Sequence, residues 1–376
     1  MSLAHVKERE AASRAAVPAP ERAADSLVHT KHKEIASLDG WRAVAIAIVF
    51  LSHAGLGKII PGGLGVTIFF FLSGYLITTL LVREFTASGG INIRHFYVRR
   101  VLRLTPPLLL VLAVTYLLTH YGLFTGHAAW SGFFAQLFYF ANYYVLFFDA
   151  GNAVPQGTGV FWSLAVEEHF YFVFPALFML LMRRADHRRI PLYLFGLCLA
   201  FLAWRYYLVA GEGVSMERTY YATDTRIDSI LFGCILATLQ LPESLRATLQ
   251  RPALRMAGVG AGVLLLLLSL LVRDAVFRET LRYSVQGIAL IPLFFYSVTR
   301  PDSFPFRWLN LRWVQRLGIY SYSIYLSHEI MLSNVDWVSA NPALNIAAAL
   351  VFSLLFAMLV DRFIDAPLRA VRARFR

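Results

Sequence analysis

The stretch LDGWRAVAIAIVFLSHAG, residues 38–55, decides the fold class, because it is apolar enough to enter a membrane yet contains Arg42 and His53. These two residues are 11 positions apart, about 20° from a whole number of helical turns, so one helix would present both on one face. The rise of a helix separates them by about 16 Å. Ionisable groups inside a membrane are costly and usually functional. We therefore expect Arg42 at the cytoplasmic boundary and His53 near mid-membrane, with snorkelling and helix–helix hydrogen bonding as the alternatives.

The composition extends this interpretation to the whole chain. Of 376 residues, 58% are hydrophobic and 15% are charged, whereas a soluble domain has about 25% charged residues. Long apolar runs such as GVLLLLLSLLV, residues 262–272, are typical of membrane helices. The net charge of +12 is explained by basic loops on the cytoplasmic side of a membrane, so we expect no nucleic-acid partner. The sequence predicts an all-α, polytopic transmembrane bundle in a lipid bilayer.

Ten segments are long enough to span, and charge decides how they are threaded. With the N-terminus inside, 28 of the 35 Lys and Arg residues fall on the cytoplasmic side, as the positive-inside rule requires. An eleventh apolar segment, 130–148, would invert every later loop if it crossed. We therefore expect it to be re-entrant or interfacial. The ten predicted spans are 41–58, 64–82, 104–121, 161–182, 190–209, 227–241, 256–272, 284–299, 317–335 and 343–360.

The ends of the chain differ from this middle. Residues 1–34 are polar and rich in Ala and Pro, without the apolar core of a signal peptide, so they predict a disordered cytoplasmic tail. The membrane domain is expected over 35–370, followed by a basic cytoplasmic end at 371–376. Both termini are expected in the cytoplasm, and the protein in the inner or plasma membrane.

Two short stretches supply further polar groups. RHFYVRRVLRLTPP, residues 94–107, clusters Arg99, Arg100 and Arg103 before a Pro-containing helix; guanidinium groups bind phosphates, although a plain topology anchor is the alternative. FWSLAVEEHFY, residues 161–171, places adjacent carboxylates in the fourth span. Because neighbours on a helix differ by 100°, the two carboxylates and the histidine that follows them cannot all face one cavity, so one carboxylate is expected as acid, base or orienter and the other as a capping or pairing group. These carboxylates are Glu167 and Glu168, and His169 follows them.

Later motifs add two more groups. ATDTRIDSILFG, residues 222–233, carries Arg226 and Asp228, and YSYSIYLSHEIML, residues 320–332, carries His328 and Glu329. Two histidines on different helices could bind a metal, but only with a third ligand in convergent geometry. We therefore predict no metal site and no bound cofactor.

The ordered set of motifs resembles the membrane acyltransferase-3 family over residues 35–370. That family has an Arg, ten residues and a His; a helix ending LSGFLIT; an Arg-x-x-Arg element before Pro; WSLSVEEQFY; and SYSLYLWHWP. The matching elements here are Arg42 with His53, LSGYLIT (72–78), Arg100 with Arg103 and Pro106, WSLAVEEHFY (162–171) and SYSIYLSHEI (321–330).

The resemblance implies transfer of an acyl group, expected to be acetyl, from cytoplasmic acyl-coenzyme A to a hydroxyl of a surface glycan or a similar carbohydrate. His53 is then the expected general base, with Arg42 on the donor or its thioester carbonyl. Glu167 or Glu168 would orient the acceptor or stabilise charge on His53. Arg99, Arg100 and Arg103 would bind coenzyme A phosphates. The residues expected to contact the acceptor or support the site are Trp162, Ser163, Arg226, Asp228, Tyr325 and His328.

Two departures and two alternatives accompany this hypothesis. His169 replaces the family's Gln, and SHEI replaces WHWP, which leaves the roles of His169 and Glu329 open. Family members often carry an esterase-like extension; none follows here, so the membrane domain is expected to complete transfer alone or with a separate partner. The alternatives are a transporter or flippase of a lipid-linked glycan or acyl compound, and acylation of a small secreted metabolite. The oligomeric state is not predicted.

Overall fold

The structure, a computed structural model, describes residues 36–148 and 153–375. Sixteen α-helices lie within these residues, and the only ladder contact among them is an isolated bridge between Gly126 and Pro155. The predicted all-α class is therefore confirmed. The predicted N-terminal tail lies outside the described residues.

The helices follow one another closely along the chain. Their bounds are α1 Ala36–Leu51, α2 Gly62–Ser88, α3 Ile93–His120, α4 Trp130–Leu137, α5 Ala141–Phe147, α6 Trp162–Arg184, α7 Ile190–Tyr206, α8 Met216–Tyr221, α9 Thr223–Thr238, α10 Glu243–Leu249, α11 Pro252–Leu271, α12 Ala275–Glu279, α13 Leu281–Thr299, α14 Arg312–Leu332, α15 Pro342–Val360 and α16 Ala366–Ala373.

Each of the ten predicted spans coincides with a helix, but not every helix passes as a span on its own. Seven of the described helices are long and apolar enough to cross a membrane, or eight if the bent α8–α10 unit is one span. Among the helices of the ten predicted spans, those outside the seven are α1 and α9, with 16 residues each, and α14, which contains Arg, Ser, His and Glu side chains. The count of ten is therefore approximate, because the helices that carry the polar motifs are the least apolar.

The centre of the bundle is held by close helix crossings at glycines. A Cβ added at Gly74 of α2 would lie 1.9 Å from the carbonyl oxygen of Ile230 in α9, and one at Gly318 of α14 would lie 1.9 Å from that of Asp39 in α1. Small residues permit such backbone contact between membrane helices. Around the glycine in LSGYLIT, α9 therefore occupies the space next to α2, so close helix packing explains Gly74.

The segment 130–148 folds back on itself, as the charge pattern predicts. Helices α4 and α5 have eight and seven residues, about 12 Å or less each, and meet at Tyr139, whose φ is 57°. The amides of His127 and Ala129 bond the carbonyls of Val154 and Ala153 at 3.2 Å. The two ends of the segment are therefore side by side, which is the geometry of a re-entrant hairpin.

Candidate active site

The site is built along α1 and α14, which run parallel. Asp39 touches Gly318 near their N-terminal ends, and His53 touches His328 near their C-terminal ends. The helix of α1 ends at Leu51, earlier than the predicted span, because Ala54 and Gly55 leave helical geometry and Gly55 has a φ of 96°. His53 therefore lies in a wide turn, with 34% of its side chain exposed, rather than inside a continuous helix.

His53 and His328 form a directly bonded pair. His53 Nδ1 is 2.9 Å from His328 Nε2, and His328 Nδ1 is 2.8 Å from the carbonyl oxygen of Tyr325. A carbonyl only accepts hydrogen bonds, so a neutral His328 carries its proton on Nδ1 and has a lone pair on Nε2. His53 then donates from Nδ1, and its Nε2 is left with a free lone pair. In this arrangement His53 Nε2 is the ring nitrogen that can accept a proton.

A cavity of about 90 Å³ lies between α1, α2, α3, α6 and α14. Its lining includes three guanidinium groups, from Arg42, Arg100 and Arg103, and one carboxylate, from Glu167. Within residues 36–148 and 153–375, Arg42 pairs with Asp39 at 3.0 Å, while no carboxylate lies within 4.0 Å of Arg100 or Arg103. The cavity therefore has an excess of positive charge that could receive an anion. Its other lining residues are Val66, Phe69, Phe70, Ser73, Leu104, Ser163, Leu164, Tyr171, Gly318, Ile319, Ser321, Tyr322 and Tyr325.

Glu167 is fixed by its own helix. Tyr171, one turn later, donates its hydroxyl to Glu167 Oε2 at 3.0 Å. The guanidinium of Arg100 lies 4.0 Å from the centre of the Tyr171 ring, a cation–π contact. Tyr171 therefore holds both the carboxylate and one arginine of the cavity. Sequence reasoning missed Tyr171, although its i, i+4 spacing from Glu167 is the signal that could have found it.

Tyr325 connects the cavity to the histidine pair. Its hydroxyl lies 2.7 Å from Ser163 Oγ and donates to the carbonyl of Val160 at 3.0 Å, while its side chain lines the cavity. Its backbone carbonyl holds His328. His53 does not line the cavity, whereas Tyr325 and its ring neighbour Phe69, with centroids 6.0 Å apart, both do.

Two predicted residues do not line this cavity. Arg99 pairs with Glu84 at 3.4 Å and donates to the carbonyl of Phe375. Glu168 faces the re-entrant hairpin: its Oε1 and the Tyr139 hydroxyl are both buried without a hydrogen-bond partner among the described residues, and the two groups are near enough to interact electrostatically. The structure thus assigns the cavity to Glu167 and to Arg100 and Arg103.

His169 and Asn142 anchor the hairpin. His169 Nδ1 is 2.7 Å from Thr223 Oγ1, and its ring stacks on Tyr143 with centroids 5.9 Å apart. Asn142 donates to Thr223 Oγ1 at 3.0 Å and to the carbonyl of Tyr221 at 3.3 Å. The residue that departs from the family pattern therefore has a structural position beside α5 and α9.

Asp228 lies in the interior of the bundle. It forms a bidentate pair with Arg205, with both oxygens 3.0 Å from guanidinium nitrogens, and Ser284 donates to it at 2.8 Å. Both side chains of this pair are fully buried. This placement gives Asp228 a supporting position rather than one in contact with the cavity.

Arg226 and Trp162 are also buried outside the cavity. The Arg226 guanidinium lies 4.1 Å from the Tyr283 ring centre, 5.2 Å from that of Tyr220 and 5.5 Å from those of Phe70 and Trp162. This aromatic box stabilises a buried cation. Of the residues predicted for acceptor contact or support, only Ser163 and Tyr325 line the cavity, and His328 contacts His53.

Glu329 adds a carboxylate that the sequence left unassigned. Its Oε2 lies 3.3 Å from His53 Nδ1, and the ligand atoms of His53, His328 and Glu329 are all within 4.8 Å of one another. The third convergent ligand, which the sequence argument set as the condition for a metal, is thus present in the structure.

Comparison with known proteins now identifies the family. The model of a family described as an acyltransferase domain matches residues 35–362, which include α1 to α15 and all the cavity residues. The chain belongs to this acyltransferase family. It is 29% identical over 360 residues to the peptidoglycan O-acetyltransferase OatA of Listeria monocytogenes and 29% identical over 351 residues to the O-acetyltransferase OatA of Staphylococcus aureus.

These matches cover most of this chain but only part of the relatives. They extend over 90% and 88% of the chain, and over 56% and 57% of the two relatives. The chain thus spans a little more than half the length of the curated relatives that it matches. No solved structure matches it.

Proposed function

We propose that this protein is an integral membrane O-acetyltransferase that moves an acetyl group from cytoplasmic acetyl-coenzyme A to a carbohydrate hydroxyl on the other side of the membrane. One observation carries the proposal: Arg42, Arg100 and Arg103 converge on one cavity, and Tyr325 in its wall is bonded through its carbonyl to a histidine pair. The O-acetyltransferase names of the relatives support the acetyl group. The one relative named for peptidoglycan supports a glycan acceptor.

The arginine cavity would bind the charged end of the donor. Coenzyme A carries phosphates, and guanidinium groups bind phosphate with two parallel hydrogen bonds. Typical small-molecule pockets have about 300–1,000 Å³, so a cavity of about 90 Å³ would take only one part of coenzyme A. Arg103 is exposed, so the nucleotide would lie outside the cavity near this residue, while the thioester arm would extend along α14 towards His53.

The chemical step would use the free nitrogen of His53. His53 Nε2 takes the proton of the acceptor hydroxyl while the hydroxyl oxygen forms a bond to the thioester carbonyl carbon. The C–S bond then breaks, and the leaving sulfur takes the proton back from His53, giving an O-acetyl ester and free coenzyme A. His328 holds the ring of His53 in the tautomer that this step needs.

The carboxylate next to the base would be Glu329 rather than Glu167 or Glu168. Glu329 Oε2 is 3.3 Å from His53 Nδ1, whereas Glu167 lines the arginine cavity and Glu168 faces the hairpin. A carboxylate at this distance stabilises the imidazolium that forms when His53 accepts a proton. Glu167 would instead orient the donor through Tyr171 and Arg100.

The test compares His53→Gln with His169→Gln in purified protein. Removing a general base typically lowers the rate about 10²–10⁴-fold, so His53→Gln should lose acetyl transfer and retain binding of acetyl-coenzyme A. His169 packs on the hairpin, and the family has Gln at this position, so His169→Gln should keep activity within a few-fold. Radiolabelled acetyl-coenzyme A provides both measurements. Activity of His53→Gln equal to that of His169→Gln would refute His53 as the base. Absence of donor binding by the wild type and by both variants would favour a transporter.

A further inference from the structure

We propose that His53 Nδ1, His328 Nε2 and the Glu329 carboxylate form a binding site for one divalent transition-metal ion, for which Zn²⁺ is the best match. We further propose that an ion bound there inhibits acetyl transfer. The binding claim stands on the geometry of the three residues alone, and the inhibition rests on the proposed role of His53.

The three ligand atoms are already close to the separations that a metal requires. Zn–N and Zn–O bonds of about 2.0–2.1 Å in a tetrahedron place neighbouring ligand atoms about 3.3 Å apart. The observed distances from His53 Nδ1 are 2.9 Å to His328 Nε2 and 3.3 Å to Glu329 Oε2. All three atoms lie within 4.8 Å of one another, so side-chain adjustments are enough to surround one ion.

The hydrogen bonds around these residues leave ligand atoms of Glu329 and His328 available to a metal. Glu329 Oε2 is buried and has no hydrogen-bond partner among the described residues apart from its contact with His53. Histidine ligands usually donate their other ring nitrogen to a carbonyl or carboxylate, which fixes the ligating lone pair. His328 does this with the carbonyl of Tyr325 at 2.8 Å, and its Nε2 faces the other two ligands.

The donor set and the access route indicate which ion can bind. Two imidazole nitrogens and one carboxylate suit Zn²⁺ and its neighbours in the transition series, whereas Mg²⁺ and Ca²⁺ prefer oxygen ligands. The side chains of His53 and Glu329 are 34% and 27% exposed, so an ion has a path to the site. Three protein ligands leave a fourth position for water.

Inhibition follows from the two nitrogens of His53. Without metal, His53 donates from Nδ1 to His328, and Nε2 has the lone pair that accepts the proton of the acceptor. A metal on Nδ1 takes the lone pair at that nitrogen, so the single ring proton of neutral His53 must move to Nε2. The ring then has no free lone pair at Nε2, and proton transfer from the hydroxyl stops.

The experiment uses the full chain in detergent, stripped with a chelator and titrated with Co²⁺. We expect one Co²⁺ per chain with the visible absorption bands of tetrahedral cobalt, displaced by Zn²⁺. Glu329→Gln, which keeps the shape of the side chain, should weaken binding at least tenfold, and His328→Gln should do the same. His169→Gln is the matched control and should bind as the wild type does.

The transfer assay then separates the two claims. Zn²⁺ should inhibit the wild type, a chelator should restore activity, and the inhibition constant in Glu329→Gln should rise by the factor found for binding, relative to that variant's own rate. Equal Co²⁺ affinity in the wild type and Glu329→Gln would overturn the site. Zn²⁺ that binds at these residues without slowing transfer would overturn the inhibition and the role of His53 Nε2 as base, while leaving the site in place.

Discussion

Arg99 and Arg100 are adjacent in sequence, and the structure predicts opposite consequences for their loss. Arg100 lines the cavity and has no carboxylate within 4.0 Å among the described residues, so its charge is available to a phosphate. Arg99 already pairs with Glu84 and with the carbonyl of Phe375. Replacing either residue with Ala changes the net charge equally. A difference between the two variants therefore reports on position rather than on the general potential of the surface.

The expected magnitude follows from the contact that each residue makes. A hydrogen bond to a charged group contributes about 1.5–3 kcal/mol, so Arg100→Ala should raise the Michaelis constant for acetyl-coenzyme A about 10- to 150-fold. The Arg99–Glu84 pair is about one-quarter exposed, and pairs of this kind contribute about 0–1 kcal/mol. Arg99→Ala should therefore change the same constant by less than about fivefold.

Initial rates of acetyl transfer, measured at varied donor and fixed acceptor concentration, give these constants directly. The constant for the acceptor serves as an internal control and should stay nearly unchanged in both variants. If Arg99→Ala and Arg100→Ala raise the donor constant equally, the cavity is not the phosphate site and the arginines act only as a topology signal.

Three further predictions concern the scaffold. Asp228→Asn should lower the free energy of unfolding in detergent by about 3–5 kcal/mol because it leaves buried Arg205 without its partner. Asp224→Asn, in a half-exposed pair with Arg218, should lower it by at most about 1 kcal/mol, and equal losses would contradict the buried pair. Gly74→Ala should reduce the yield of folded protein because its added Cβ would lie 1.9 Å from the Ile230 carbonyl oxygen. Gly196→Ala, with open space around it, should give a normal yield, and a normal yield from both would show that α2 and α9 are not in contact. Single cysteines at Leu123 and Gln156 should both react with an impermeant thiol reagent from the outside, with little background because Cys198 and Cys234 are buried; labelling from opposite sides would show that the hairpin crosses the membrane.

The sequence predicted the helices well because membrane helices are specified locally by apolar length and by basic loops. It also predicted that residues 130–148 do not form one continuous spanning helix, since charge counting needs no knowledge of tertiary contacts. The spacing of Glu167, Glu168 and His169 showed that they cannot all face one cavity, but it could not say which carboxylate does, because that depends on which helices lie on each side of α6. The partners Arg205–Asp228 and His53–His328 are separated by 23 and 275 residues. Such pairings depend on how helices are arranged around one another, which the periodicity of a single helix does not contain.

The parallel packing of α1 and α14 sets the length of donor that the site can accept. Backbone contact at Asp39 and Gly318 fixes one end of this helix pair, and the His53–His328 bond fixes the other. The interval from Arg42 to His53 is therefore held at both ends, and a donor must match it between its anionic group and its reactive carbonyl. Under the proposed mechanism, thioesters with a shortened arm would bind their phosphates correctly and still hold the carbonyl out of reach of the base. Donor choice would then be set by molecular length, independently of how tightly either end is recognised.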